Sequence, residues 1–140
     1  MTLLLAVAAA SGCGTAPSAD SSLPPTFPAE PFQRLTTAGA LFDVALRTAP
    51  QQPPQRGIDT LQYQVTDPSG APVTGLVLTV VPWMPAHGHG TSVRPTVTET
   101  GDGLYEASNV VLFMQGRWEL RTSITGGGAQ DAVAPAFDVN

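Results

Sequence analysis

The chain contains no lysine, a single cysteine and two histidines among its 140 residues. One cysteine excludes both a disulfide scaffold and a zinc site built from thiolates. Charged residues are scarce, at 12% of positions, and six arginines against eleven acids leave a net charge of −5. Nucleic acid and anionic surfaces are disfavoured as partners by that balance. The N-terminal apolar run, Leu3 to Ala10, is eight residues long, whereas a helix needs about 20 to cross a hydrocarbon core. A persuasive helical period is absent from the rest of the chain, and so is an internal repeat. The chain is instead rich in breakers: 14 Gly and 14 Pro occupy one position in five. Interior Gly and Pro cost a helix roughly 1 and 3 kcal/mol each, which excludes a bundle or coiled coil. A hydrophobic content of 42% supports one core and rules out disorder throughout, and the length allows one small domain.

The apolar run is followed by Ser11, Gly12 and Cys13, an order that fits the hydrophobic region of a secretory signal and its small-residue cleavage site. Ala10-Ser11-Gly12-Cys13 resembles the bacterial lipobox, in which a small residue precedes a cysteine that is lipidated and becomes the mature N-terminus. Ala10 stands where leucine is usual, and no Lys or Arg precedes the run. The expectation is a lipoprotein signal peptide over residues 1–12, lipidation at Cys13 and export to the outer side of a bacterial membrane. Residues 13–37, with Pro24-Pro25, Pro28 and Pro31 among Ala, Ser and Thr, read as an extended tether.

Residues 38–140 read as strands. Phe42, Val44 and Leu46 alternate with polar neighbours, as do Leu61, Tyr63 and Val65. Leu76 to Trp83 is almost continuously apolar, as expected of a strand covered on both faces. Pro95 in the weaker strand Thr91–Thr98 points to an edge. Broken alternation at Ser108-Asn109 points to a bulge. Asp67-Pro68-Ser69-Gly70 and Gly101-Asp102-Gly103 are turns, and Gln115-Gly116 reads as a tight reversal leading to Trp118. The prediction is an all-β, immunoglobulin-like β-sandwich of about seven antiparallel strands.

Both histidines lie in one loop, Trp83-Met84-Pro85-Ala86-His87-Gly88-His89-Gly90. Gly88 and Gly90 allow the backbone to fold so that both imidazoles face one point. Imidazole nitrogen with the thioether of Met84 forms a soft to borderline ligand set that suits Cu(I). Zinc fits less well, because two histidines leave it short of a third hard or thiolate ligand. Met114 completes a four-ligand set, Met84, His87, His89 and Met114, if the sheets bring its turn beside the loop. As an alternative, the histidines are solvated loop residues, the methionines fill the core, and the sandwich is a non-metal adaptor or adhesion module that binds a protein partner.

Catalysis is not expected. Ser92, His87 and Asp102 can be assembled into a triad only on paper, with no nucleophile elbow. Gly126-Gly127-Gly128 lacks the following lysine of a phosphate loop.

Four motifs in order then carry a family resemblance: Gly70-Ala71-Pro72-Val73; Met84-Pro85-Ala86-His87-Gly88-His89-Gly90; Gly103-Leu104-Tyr105; and Met114-Gln115-Gly116-Arg117-Trp118. They resemble the bacterial YtkA-like domain over roughly residues 57 to 125, with Gln115 where the family prefers proline. The resemblance implies an immunoglobulin-like sandwich that faces the periplasm or the cell exterior. It also implies copper binding at Met84, His87, His89 and Met114, with a protein partner in copper handling or oxidase assembly. Trp83 and Trp118 are expected to shield the site.

Overall fold

The computed structural model describes residues 23–140. The expected signal peptide, the expected lipidation site at Cys13 and the first part of the expected tether lie outside these residues. Among the described residues ten strands form: β1 (Gln33–Thr36), β2 (Asp43–Ala49), β3 (Gly57–Thr66), β4 (Val77–Met84), β5 (His89–Gly90), β6 (Thr96–Gly101), β7 (Leu104–Leu112), β8 (Gly116–Gly126), β9 (Ala129–Val133) and β10 (Ala136–Val139). The first sheet has the order β1-β2-β3-β7-β6, and the second β10-β8-β4-β5 with β9 also paired to β8. Every strand pairing among the described residues is antiparallel. The all-β sandwich is therefore as expected.

The count rises from about seven to ten for local reasons. β1 begins inside the segment 13–37 read as tether, because Leu35 packs against the core and Phe32 meets Phe137 edge-on at 5.9 Å. β5 is only two residues long. The apolar series Val133 to Val139 divides at Ala134-Pro135, yet both halves run along β8, where Leu120 N–H donates to the Pro135 carbonyl at 2.9 Å.

Three further expectations change in detail. The apolar β4 is not covered on both faces: Leu78, Val80, Pro82 and Met84 are buried, while Val77 is 65% exposed and Thr79 faces solvent. The second sheet is an outer layer, and no further layer among the described residues packs over its far side. The edge strand containing Thr91–Thr98 begins only at Thr96, beyond Pro95. Residues 113–115 do not make a hairpin, since β7 and β8 belong to different sheets and the connection crosses between them. The bulge is where alternation fails: pairing steps from Asp59↔Val110 to Leu61↔Ala107, and Asn109 adopts φ 58°.

Inward-facing side chains of both sheets form one core, in which Tyr63, Leu61, Leu112, Trp118, Leu120 and Ile124 are fully buried. Two tyrosines carry polar tips into it and find partners. The Tyr63 hydroxyl meets Thr122 Oγ1 at 3.0 Å, joining the sheets. Tyr105 donates to the Val73 carbonyl at 2.8 Å and accepts from Leu76 N–H at 3.2 Å, fixing the entry to β4. With that entry pinned, β4 runs the length of the sandwich and delivers its last residue, Met84, to the end where β7 stops and β8 starts.

Candidate metal centre

The β4–β5 connection is a tight hairpin. His87 and Gly88 N–H groups both donate to the Met84 carbonyl, at 3.2 and 3.0 Å, and Met84 pairs with His89 in register. Gly88 closes the turn at φ 67°. Gly90 is required for a different reason: a Cβ there would stand 2.1 Å from the Pro82 carbonyl oxygen. The rings of His87 and His89 lie with centroids 5.6 Å apart, tilted by 49°. Both histidines are exposed.

Cross-strand partners share a face, so His89 lies on the same side of the second sheet as buried Met84. On that side it meets the connection between the sheets. The His89 ring stacks on Phe113, with centroids 6.1 Å apart and planes 15° from parallel, and Phe113 meets Trp118 edge-on at 5.6 Å. Trp118 donates its indole N–H to the Met114 carbonyl at 2.9 Å. Met114 itself is partly buried against the core. Met84 is 1% exposed, and its Cε lies 3.1 Å from where a Cβ on Gly116 would be.

The turn containing Met114 is thus brought beside the histidine loop, and the four expected ligands occupy two adjoining connections at one end of the sandwich. Their exposure differs: the two imidazoles are open to solvent, and the Met84 thioether lies in the core beneath them. The described residues contain no group of three or more His, Cys, Asp or Glu side chains placed to hold a metal. A metal here would depend on the two imidazoles and on sulfur. Metal–imidazole bonds of about 2 Å put a ring centroid roughly 3 Å from the ion, so two rings on one ion stand up to about 6 Å apart. The observed separation fits that limit.

Phe113 was not among the anticipated site residues. It is 46% exposed, and the available signal was its place beside Met114 at the end of an alternating strand. Of the two tryptophans, Trp118 backs the site. Trp83 does not: it faces the outer side of the second sheet, with the Arg121 guanidinium 4.5 Å above its ring. The paper triad is not assembled either. Asp102 lies at the far end of β7 from Phe113, roughly 30 Å away at a strand rise of about 3.3 Å per residue.

A family model, described as YtkA-like, matches residues 41–123. The chain belongs to the YtkA-like family. The match takes in β2 to β7 and most of β8, and so all four ordered motifs and the histidine hairpin. No curated protein and no solved structure matches the chain.

Proposed function

We propose that this YtkA-like protein binds a copper ion at His87 and His89 and holds or delivers it, without catalysis. The observation that carries this reading is the 5.6 Å spacing of the two imidazoles on a glycine-closed hairpin. Met84 and Met114 are the softer ligands, and they bias the site toward Cu(I). With Cys13 used for a lipid anchor, the exported domain has no thiol, so thioether and imidazole are its only soft donors. The protein would then stand on the outer side of a bacterial membrane and exchange copper with a partner in copper handling or oxidase assembly.

The test is a titration of the full chain with Cu(I) against a chromogenic chelator. The wild type is expected to withdraw one copper per chain, and a His87→Ala/His89→Ala variant to lose that competition. Absence of competition, or equal competition by the variant, ends the copper reading and leaves a protein-binding module. Cys13→Ser is expected to move the protein from the membrane fraction to the soluble one; retention in the membrane would refute the lipid anchor.

A further inference from the structure

The chain enters the sandwich at the end that carries the histidines. The residues before β1 are strapped along β2. Phe32 N–H donates to the Leu46 carbonyl at 2.9 Å, and the Arg47 guanidinium donates to the Ala29 carbonyl at 3.0 and 3.1 Å. Gln52 Nε2 donates to the Glu30 carbonyl at 2.8 Å. Pro25 and Thr26 then share a surface pocket with Ala49, Pro50, Ile58 and Thr60. Ile58 pairs with Val111, two residues before Phe113, and Phe113 stacks on His89. Pro25 and the histidine hairpin therefore lie at the same end of the molecule.

The length of chain between Pro25 and Cys13 gives this placement a consequence. Pro25 follows Cys13 by 12 positions, and that many residues reach at most about 40 Å when fully extended. Strand β8 has 11 residues and makes the sandwich about 36 Å long, at about 3.3 Å per residue. A chain anchored through Cys13 would use almost its whole reach returning along the domain before the opposite end met the bilayer. With the histidine end toward the bilayer, no return is needed.

The two ends also differ in charge. The turns of the opposite end hold Asp67 and Asp102, and Asp43 and Asp131 flank a third turn, residues 37–42; none of these turns contains an arginine. At the histidine end the acids are paired, Asp138 with Arg117 at 3.0 Å and Glu119 with Arg121 at 3.5 Å, or buried, as Asp59 is. Arg56, beside Gly57, and Arg94, in the connection that leaves the hairpin, are exposed and have no ion-pair partner among the described residues. Leu23, Ile58 and Phe113 are exposed at this end too. An anionic lipid surface therefore meets free arginines and apolar side chains here, and unpaired carboxylates at the other end. We infer that the histidine end faces the phospholipid surface to which the chain is anchored, so that His87 and His89 open toward lipid. The inference rests on lipidation at Cys13 and does not depend on copper.

The test uses the acylated full chain in vesicles of phosphatidylglycerol and phosphatidylcholine that carry a spin-labelled headgroup as quencher. With Cys13 taken by the anchor, one added cysteine is the only thiol available to a fluorophore. Ala86→Cys in the histidine hairpin and Gln115→Cys in the neighbouring connection are both at exposed positions. Each should be quenched at least about threefold more than Ser69→Cys, an exposed position about 36 Å away along the sandwich. Equal quenching of the three, or stronger quenching of Ser69→Cys, in chains that float with the vesicles would overturn the orientation and leave the anchor standing. Chains that do not float would refute the anchor and this inference together. Neither result bears on the copper titration.

Discussion

The imidazole of His89 lies nearly parallel to the ring of Phe113, with centroids 6.1 Å apart and planes 15° from parallel. One residue comes from a hairpin of the second sheet and the other from the connection that leaves the first, so the contact ties the two connections together. Stacking limits the orientations open to His89 while leaving its exposed edge free. That is the restriction a ligand needs to bind without a large ordering cost.

Removing the stack should therefore loosen the site without abolishing it. An aromatic contact of this type contributes about 0.5–1.5 kcal/mol. Phe113→Ala is expected to weaken Cu(I) binding about threefold to tenfold, read by chelator competition, and Phe113→Tyr to retain wild-type affinity.

Gly90 and Gly88 should respond differently to alanine. At Gly90 the new Cβ meets the Pro82 carbonyl oxygen at 2.1 Å, so the backbone must move, at a cost of about 1–3 kcal/mol. At Gly88 there is open space, and the cost is only that of φ 67° for an L residue, about 1 kcal/mol. Urea unfolding of the two variants should rank Gly90→Ala as the more destabilised.

Trp118 both fills the core and holds Met114. Trp118→Phe retains most of the volume but leaves the Met114 carbonyl without its donor, an expected loss of about 1–2 kcal/mol. Trp118→Ala also opens a cavity and should cost about 3–5 kcal/mol. Chemical denaturation separates the two contributions.

Two carboxylates give stability opposite slopes with pH. Burial raises Asp59 to about 6, and its Oδ2 has no hydrogen-bond partner among the described residues. Because its folded pKa lies above its unfolded one, its contribution favours folding at low pH and is lost as pH rises from about 4 through 6. Asp59→Asn should flatten that slope and stabilise the domain at pH 7 by about 1–2 kcal/mol, after allowance for solvent screening.

Asp131 has the reverse sign. It accepts from Thr37 Oγ1 at 2.6 Å, Gly39 N–H at 2.7 Å, Ala132 N–H at 2.8 Å and Leu41 N–H at 3.1 Å. The Thr37 bond first, then the backbone donors, holds its pKa at about 2. Its stabilisation is complete above about pH 4 and disappears as pH falls toward 2, so Asp131→Asn should remove part of the acid transition. Thermal melts from pH 2 to 8 read both slopes.

Much of the sandwich was legible because alternation is local. Leu61, Tyr63 and Val65 are buried at every second position, and the bulge falls at Ser108-Asn109 where alternation fails. The β4 strand departs from its sequence pattern for the opposite reason. Apolar residues on both sides suggest double cover, but whether a layer lies over the outer side depends on sheet order, which composition does not encode. At the candidate site, His87, His89 and Met84 are legible by type and spacing. Phe113 is not, because its contact with His89 joins residues 24 positions apart in sequence.

The sequence by itself determined the β class, the glycine-bearing loop that holds both histidines and the set of donors present, since these depend on alternation, steric allowance and residue chemistry over a few neighbouring positions. Only the tertiary structure decided that β7 and β8 lie in different sheets and that their connection lands on the histidine hairpin. It also decided that Met84 is buried beneath the exposed imidazoles, and that Trp118 rather than Trp83 backs them. Those outcomes follow from which strands pair and which faces meet, and long-range packing settles both through the total apolar surface removed from water, a quantity no local segment specifies.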